Sequence, residues 1–148
     1  MRDLNHWDHR FLDLASFIAR WSKDPSTQVG CVIVDGMNRI VSTGFNGLAS
    51  GVEDTIERLE NRDIKYKMVV HAERNAIIDA KRDLSGLRLY SSLIPCSECA
   101  AMIIQAGISE VIAPVNDSDR LAESCRFDLT KVMFEESGVN LTLVTPET

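Results

Sequence analysis

Apolar residues at Trp7, Phe11, Leu14, Ile18 and Trp21 recur at alternating spacings of four and three, with Ala15 and Phe17 beside them. That rhythm predicts one face of an amphipathic helix. Its aromatics are expected to anchor the core or a subunit contact rather than to stack on a base. The helix should end near Lys23-Asp24-Pro25, because the residue before a proline is driven out of the helical region. Val29 to Val34 is a short β-branched run closed by Asp35-Gly36, and Ile40 to Phe45 follows as a second strand, so the two predict a hairpin. Asn46-Gly47 is expected to turn the chain. From Ala49 to Lys67 the sequence is polar with poor periodicity, and reads as a surface excursion holding one short helix around Thr55 to Arg62. A helix over Val70 to Arg82, a strand over Leu87 to Leu93 and a helix over Ser97 to Ala106 come next, the last capped by Gly107. Val111 to Val115 is a strand, Asp117-Ser118-Asp119 starts a long helix over Leu121 to Ser137 closed by Gly138, and Leu141 to Val144 is a final strand. The order α-β-β-α-β-α-β-α-β predicts an α/β fold: a three-layer α/β/α sandwich around a five-stranded mixed sheet.

At 148 residues the chain suits one domain, 1–148, with a real core. Hydrophobic residues at 45% and charged residues at 26% are an ordinary globular balance. The formal net charge is −6. A chain bound mainly to nucleic-acid phosphates would normally be basic, so acidity favours a small-molecule substrate. The start Met1-Arg2-Asp3-Leu4-Asn5-His6 lacks the apolar core of a signal peptide, and no apolar run approaches membrane-spanning length. The expected setting is cytoplasmic, with no membrane and no nucleic-acid partner. There the four cysteines should be reduced, and a close pair should bind metal.

His71-Ala72-Glu73 and Pro95-Cys96-Ser97-Glu98-Cys99 carry the chemistry. His71, Cys96 and Cys99 are good zinc ligands, and three protein ligands leave a tetrahedral ion one open position, as in catalytic sites. H-x-E with P-C-x-x-C is the signature of zinc-dependent nucleobase deaminases, in which the Glu moves protons and does not bind the metal. Both pairs fall at predicted helix starts, where partial positive charge favours thiolate. Cys96 and Cys99 are one helical turn apart, so their sulfurs can meet one ion. A closed structural site would need a fourth ligand from Cys31, Cys125, His6 or His9. Cys31 is expected to be a buried thiol, Cys125 a packing residue, and the two histidines surface groups. Glu73 is then the expected proton shuttle while hydroxide attacks the amine-bearing C4 of the base.

A more specific resemblance covers nearly the whole chain. Ser22-Lys23-Asp24-Pro25-Ser26-Thr27-Gln28-Val29-Gly30, Gly44-Phe45-Asn46-Gly47 and Pro95 to Ala100, continuing Ile103 to Ile108, are similar to segments of the deoxycytidylate (dCMP) deaminases. The resemblance implies the cytidine-deaminase fold and the reaction dCMP + water → dUMP + ammonia, which supplies the dTMP precursor. It implies zinc on His71, Cys96 and Cys99, Glu73 as shuttle, and substrate contacts from Asn46 and Thr27. Simple turn chemistry is the other reading of Asn46. The family is commonly hexameric, activated by dCTP and inhibited by dTTP with magnesium (Mg2+). Such an effector site would use Ser22, Lys23, Ser26, Gly47, Gly51 and Glu53.

The segment Ala49–Val70 has no Cys and no His, so one zinc (Zn2+) per chain is expected. Arg74 and Arg82 are open between a subunit interface, a neighbour's phosphate and a solvated face. Two rivals stand beside the dCMP reading. A tRNA adenosine deaminase shares H-A-E and P-C-x-x-C but must hold a folded RNA, for which no basic stripe is evident. The other is a non-catalytic zinc-stabilised interaction module. Free-nucleoside cytidine deaminases usually carry Cys at the position of His71.

Overall fold

The computed structural model describes residues 2–145. In chain order the first half contains α1 (His6–Ala19), β1 (Gly30–Val34), β2 (Ile40–Phe45), β3 (Gly47–Leu48), α2 (Ile56–Glu60), α3 (Arg62–Met68) and β4 (Val69–Val70). The second half contains α4 (Ala72–Ala80), β5 (Arg88–Ser91), α5 (Ser97–Gln105), β6 (Glu110–Pro114), α6 (Asp119–Cys125), α7 (Phe127–Ser137) and β7 (Asn140–Val144).

The five-stranded mixed sheet runs in the order β2-β1-β5-β6-β7. β1 pairs antiparallel with β2, as the hairpin pattern predicts, and antiparallel with β5; the β5–β6 and β6–β7 pairs are parallel. Period-two alternation splits the strands between two cores. Cys31, Ile33, Leu89 and Val111 pack with Ala72, Ala76, Ala100, Ile103 and Phe134 from α4, α5 and α7. Val32, Val34, Tyr90 and Ile112 face the other way, onto Phe11, Ala15 and Ile18 of α1. Three layers result.

α1 starts at Asn5 because its side chain accepts from the N–H groups of Trp7 and Asp8 while Asp8 accepts from the Asn5 N–H, a capping box. It ends at Ala19, with Trp21 and Ser22 held by short i→i+3 bonds to Ile18 and Ala19. Gly107 and Gly138 follow α5 and α7 with φ of +82° and +84°, the left-handed caps their positions predict.

Four expectations need correction. The helix expected from Val70 begins at Ala72, because Val69 and Val70 are taken into a two-stranded ribbon with β3. Asn46-Gly47 is accordingly no free turn: Gly47 pairs with Val70 and Leu48 with Val69. The polar excursion holds two helices, not one, and Asn61 separates them as both the end of α2 and the N-cap of α3. The long helix over 121–137 is two helices broken at Arg126, which is left-handed at φ 53° and ψ 54°. The break re-aims α7 so that Phe127, Thr130 and Phe134 are all buried, and an apolar periodicity that continues through the joint gives no sign of it.

One close approach fixes where α4 lies. A Cβ built on Gly44 of β2 would sit 2.4 Å from the Ala72 carbonyl oxygen and 2.6 Å from the Ala76 nitrogen, so the α4 backbone rests directly on the strand. Ser42 Oγ donates to the Ala76 carbonyl at 2.7 Å, and Asn75 Nδ2 donates to the Phe45 carbonyl at 2.8 Å. Overpacking a tight contact costs about 1–3 kcal/mol. Gly44→Ala is therefore expected to lose stability in that range by urea denaturation and to lower the bound metal per chain. Wild-type values for both would show that α4 tolerates displacement.

Candidate metal centre and active site

His71 is the N-cap of α4 and Cys96 the N-cap of α5, both in extended backbone and neither capping its helix with its side chain. The two side chains are thus free to turn toward one another. Pro95, before the Cys96 cap, is buried, and its carbonyl accepts from Thr130 Oγ1 at 2.8 Å, so α7 clamps the loop that carries the first thiol. Cys99 lies on the first turn of α5 and is fully buried.

The ligand atoms of His71, Cys96 and Cys99 all lie within 4.8 Å of one another. His71 Nδ1 is 3.2 Å from Cys99 Sγ and 3.4 Å from Cys96 Sγ. Ligands about 2.0–2.3 Å from a zinc ion at tetrahedral angles stand roughly 3.5 Å apart, so this set fits one such ion. The two thiols shift in opposite directions. Cys96 is brought down to about 4 by the hydrogen bond it accepts from Cys99, with His71 helping against burial. Cys99 moves up as that bond's donor. His71 is held above its ordinary value by its bond to Cys96.

Glu73 is 3% exposed. Burial pushes its carboxyl up, and Ser91 Oγ donates to its Oε1 at 3.1 Å. A carboxyl so placed exchanges a proton more readily near neutrality than one in water. Its neighbour Arg74 donates to Glu98 Oε2 at 2.9 Å, and its buried Nε has no hydrogen-bond partner among the described residues.

A cavity of about 270 Å³ opens over this corner. Its lining includes His71, Glu73 and Cys96 at the ligand set, Thr27 and Asn46 from the loop and strand end before it, and Asp24, Lys65 and Tyr66. That is near the lower end of the roughly 300–1,000 Å³ typical of small-ligand pockets, and suits one small molecule.

Residues 5–114 match the sequence model of the cytidine and deoxycytidylate deaminase zinc-binding region. The chain belongs to the cytidine and deoxycytidylate deaminase family. It is 46% identical over 140 residues, 94% of each chain, to an uncharacterized deaminase in the luxG 3′ region of Aliivibrio fischeri. It is 40% identical over 151 residues to the deoxycytidylate deaminase of Mus musculus, covering 98% of this chain and 83% of that one. The fold is similar to that of the dCMP deaminase of cyanophage S-TIM5 in complex with dCMP and dUMP, with a TM-score of 0.77 and 21% identity over 97% of this chain and 100% of that one.

The other residues singled out in the deaminase's sequence occupy several different surroundings. Asn46 and Thr27 line the cavity, but the Asn46 amide is mostly engaged within the protein. Its Oδ1 accepts from the Val29 N–H at 2.8 Å and its Nδ2 donates to the Thr27 carbonyl at 2.9 Å. Ser22 is buried, donates to the Asn46 carbonyl at 2.8 Å and accepts from the Asp24 N–H, while Ser26 Oγ donates to Asp24. Lys23, Gly51 and Glu53 are exposed and outside the cavity lining; Lys23 pairs with Asp54 at 3.0 Å. Gly47 sits in β3. Cys31 is fully buried, and Cys125 forms part of the cavity wall. Arg82 donates to the Asp83 carbonyl on an exposed turn.

Sequence reasoning missed Ser91 and Lys65. Ser91 is a polar residue ending an apolar strand, a signal that could have been used. Lys65 looked like one more charge in a polar segment. A divalent ion at the three ligands binds thiolate and neutral imidazole and so competes with protons, and zinc affinity weakens as pH falls. Elemental analysis is expected to give one zinc per chain, near zero in Cys99→Ala. Two per chain would require ligands outside this set.

Proposed function

We propose that this deaminase hydrolyses dCMP to dUMP and ammonia, supplying the precursor of dTMP. Near full-length similarity to deoxycytidylate deaminases at about 40% identity carries the reading. The site supports it: a buried proton carrier stands beside a three-ligand metal set, in a cavity sized for a mononucleotide.

Zinc held by His71, Cys96 and Cys99 would lower the pKa of a water from 15.7 to about 7 and so make hydroxide available at neutral pH. Glu73 takes a proton from the attacking water and passes it to N3 of the cytosine ring as the oxygen bonds to C4. Glu73 then takes the proton left on the C4 hydroxyl and delivers it to the exocyclic amine; C4=O forms as the C4–N bond breaks, and ammonia leaves. Ser91 holds Oε1 of Glu73, so the carboxyl keeps one orientation through both transfers. Leu93 and Ile94 on the cavity wall keep bulk water from competing for those protons.

Effector control by dCTP and by dTTP with magnesium is part of the same proposal, at the surface where the Ser22–Thr27 loop meets the Gly47–Glu53 segment. Lys23 of that loop pairs with Asp54, the residue that follows the segment. The proposed assembly is a homo-oligomer, a hexamer in the first instance.

An ammonia-release assay comparing dCMP, CMP, deoxycytidine and dCTP tests the substrate. dCMP is expected to win, and a preference for deoxycytidine would overturn the reading. Adding dCTP or dTTP with magnesium should raise or lower the rate, and a flat response would remove the regulation alone. Glu73→Gln is expected to keep zinc and lose on the order of 10²–10⁴-fold in turnover. Near-normal turnover in the zinc-loaded variant would strip Glu73 of its role.

A further inference from the structure

Lys65 is a buried lysine on the wall of the catalytic cavity. Its ammonium is 3.1 Å from Asp24 Oδ1 and 2.9 Å from Ser26 Oγ, and the Lys65 and Asp24 side chains are each 5% exposed. Burying an ammonium is costly, and a buried ion pair is weak evidence for stability. An exposed pair would tie α3 to the Ser22–Thr27 loop with far less desolvation. The location therefore calls for another explanation.

Asp24 does not depend on Lys65 for its hydrogen bonds. Its Oδ1 accepts from the Ser26 N–H at 2.9 Å, the Thr27 N–H at 3.1 Å and Ser26 Oγ at 3.1 Å, and Asn46 Nδ2 approaches Oδ2 at 3.5 Å. The ammonium in turn has three donors, two of them used by Asp24 and Ser26, which leaves one for a ligand. Among the described residues that line the cavity, Lys65 is the one lysine or arginine, while Asp24, Glu73 and Glu98 contribute carboxyl groups. A phosphate monoester carries about 1.5–2 negative charges at neutral pH. Such a group entering this acidic cavity needs a cation, and the lining offers one.

We propose that Lys65 receives the 5′-phosphate of the substrate and thereby selects a nucleoside monophosphate over the free nucleoside. The assignment rests on the dCMP reading and names a specificity residue for it. Asp24 holds the ammonium at the wall in the absence of ligand, and Asn46, bonded to the same carboxylate, ties that end of the cavity to the base-facing end.

The measured quantity is the ratio of kcat/KM for dCMP to that for deoxycytidine. A charge-assisted bond to phosphate is worth about tenfold to a hundredfold, and the ratio in Lys65→Met is expected to fall by that factor. Lys65→Arg, which keeps the charge, should recover most of it. Asp24→Asn with Lys65→Met removes both buried charges together and guards against a variant that fails to fold; its ratio should fall likewise. A folded, zinc-loaded variant lacking the cation but keeping the wild-type ratio would overturn the proposal and leave Lys65 as the partner of Asp24 only. In the unaltered protein, the 15N signal of the Lys65 ammonium should shift on saturation with dUMP and not with deoxyuridine. Equal shifts, or none, would also overturn it. Wild-type enzyme that turns over deoxycytidine as well as dCMP would instead sink the substrate reading, whatever Lys65 does.

Discussion

The contact between the backbone of α4 and β2 at Gly44 is the constraint from which the catalytic corner follows. With no side chain on that strand residue, the helix backbone lies directly against the sheet, and the position of its start, His71 to Glu73, follows from that contact. A Cβ there would push on Ala72, the residue between His71 and Glu73. α5 presents its own first turn from the neighbouring position, with Pro95 held by Thr130 of α7. Two rigid helix starts then share one point in space. That is the precision a three-ligand metal set requires.

Burial does the electrostatic work at this point. Glu73 has little solvent around it, so its charged form is disfavoured until the His71 ring and the Ser91 hydroxyl compensate in part. The same low-polarity surroundings strengthen every charge interaction with the reacting ring. Helix N-termini supply partial positive charge to the two sulfurs, which bind metal as thiolates. Arg74 adds a full positive charge beside the same sulfurs and is itself balanced by Glu98.

How much of this was readable in the chain depends on how local the information is. His71, Glu73, Cys96 and Cys99 were legible because helix starts and three-residue spacings are local properties, and the hairpin and the five strands were legible from alternation and turn residues. The division at Arg126 was not, because the apolar rhythm passes through the joint and only the docking of Phe127 and Thr130 selects the left-handed residue. Val69 and Val70 read equally well as the start of a helix, and only their pairing with Gly47 and Leu48, distant in sequence, makes them a strand. Ser22 looked like a hydroxyl available to a ligand. Its burial under the Asn46 carbonyl is a tertiary fact with no local signature. Lys65 shows the same limit: a lysine among polar residues gives no hint that 5% of its side chain reaches solvent.

The two halves of the cavity also differ in how they are built. The metal side rises from sheet and helix starts inside the main core, where a change of one atom's width is felt throughout. The opposite side is assembled from the loop after α1, the ribbon β3–β4 and the short helix α3, elements that carry few core residues. Loops on a rigid frame can vary without disturbing the chemistry they surround. On the proposed reading, deamination is a property of the frame, and the choice of which molecule enters belongs to the polar excursion. The Asp24–Lys65 pair is the place where that excursion is joined to the frame: Asp24 binds α3 through Lys65 and approaches the strand end through Asn46. A segment that looked in sequence like solvated filler between two strands and the catalytic helix is thus coupled, through one buried carboxylate, to the wall of the reaction chamber.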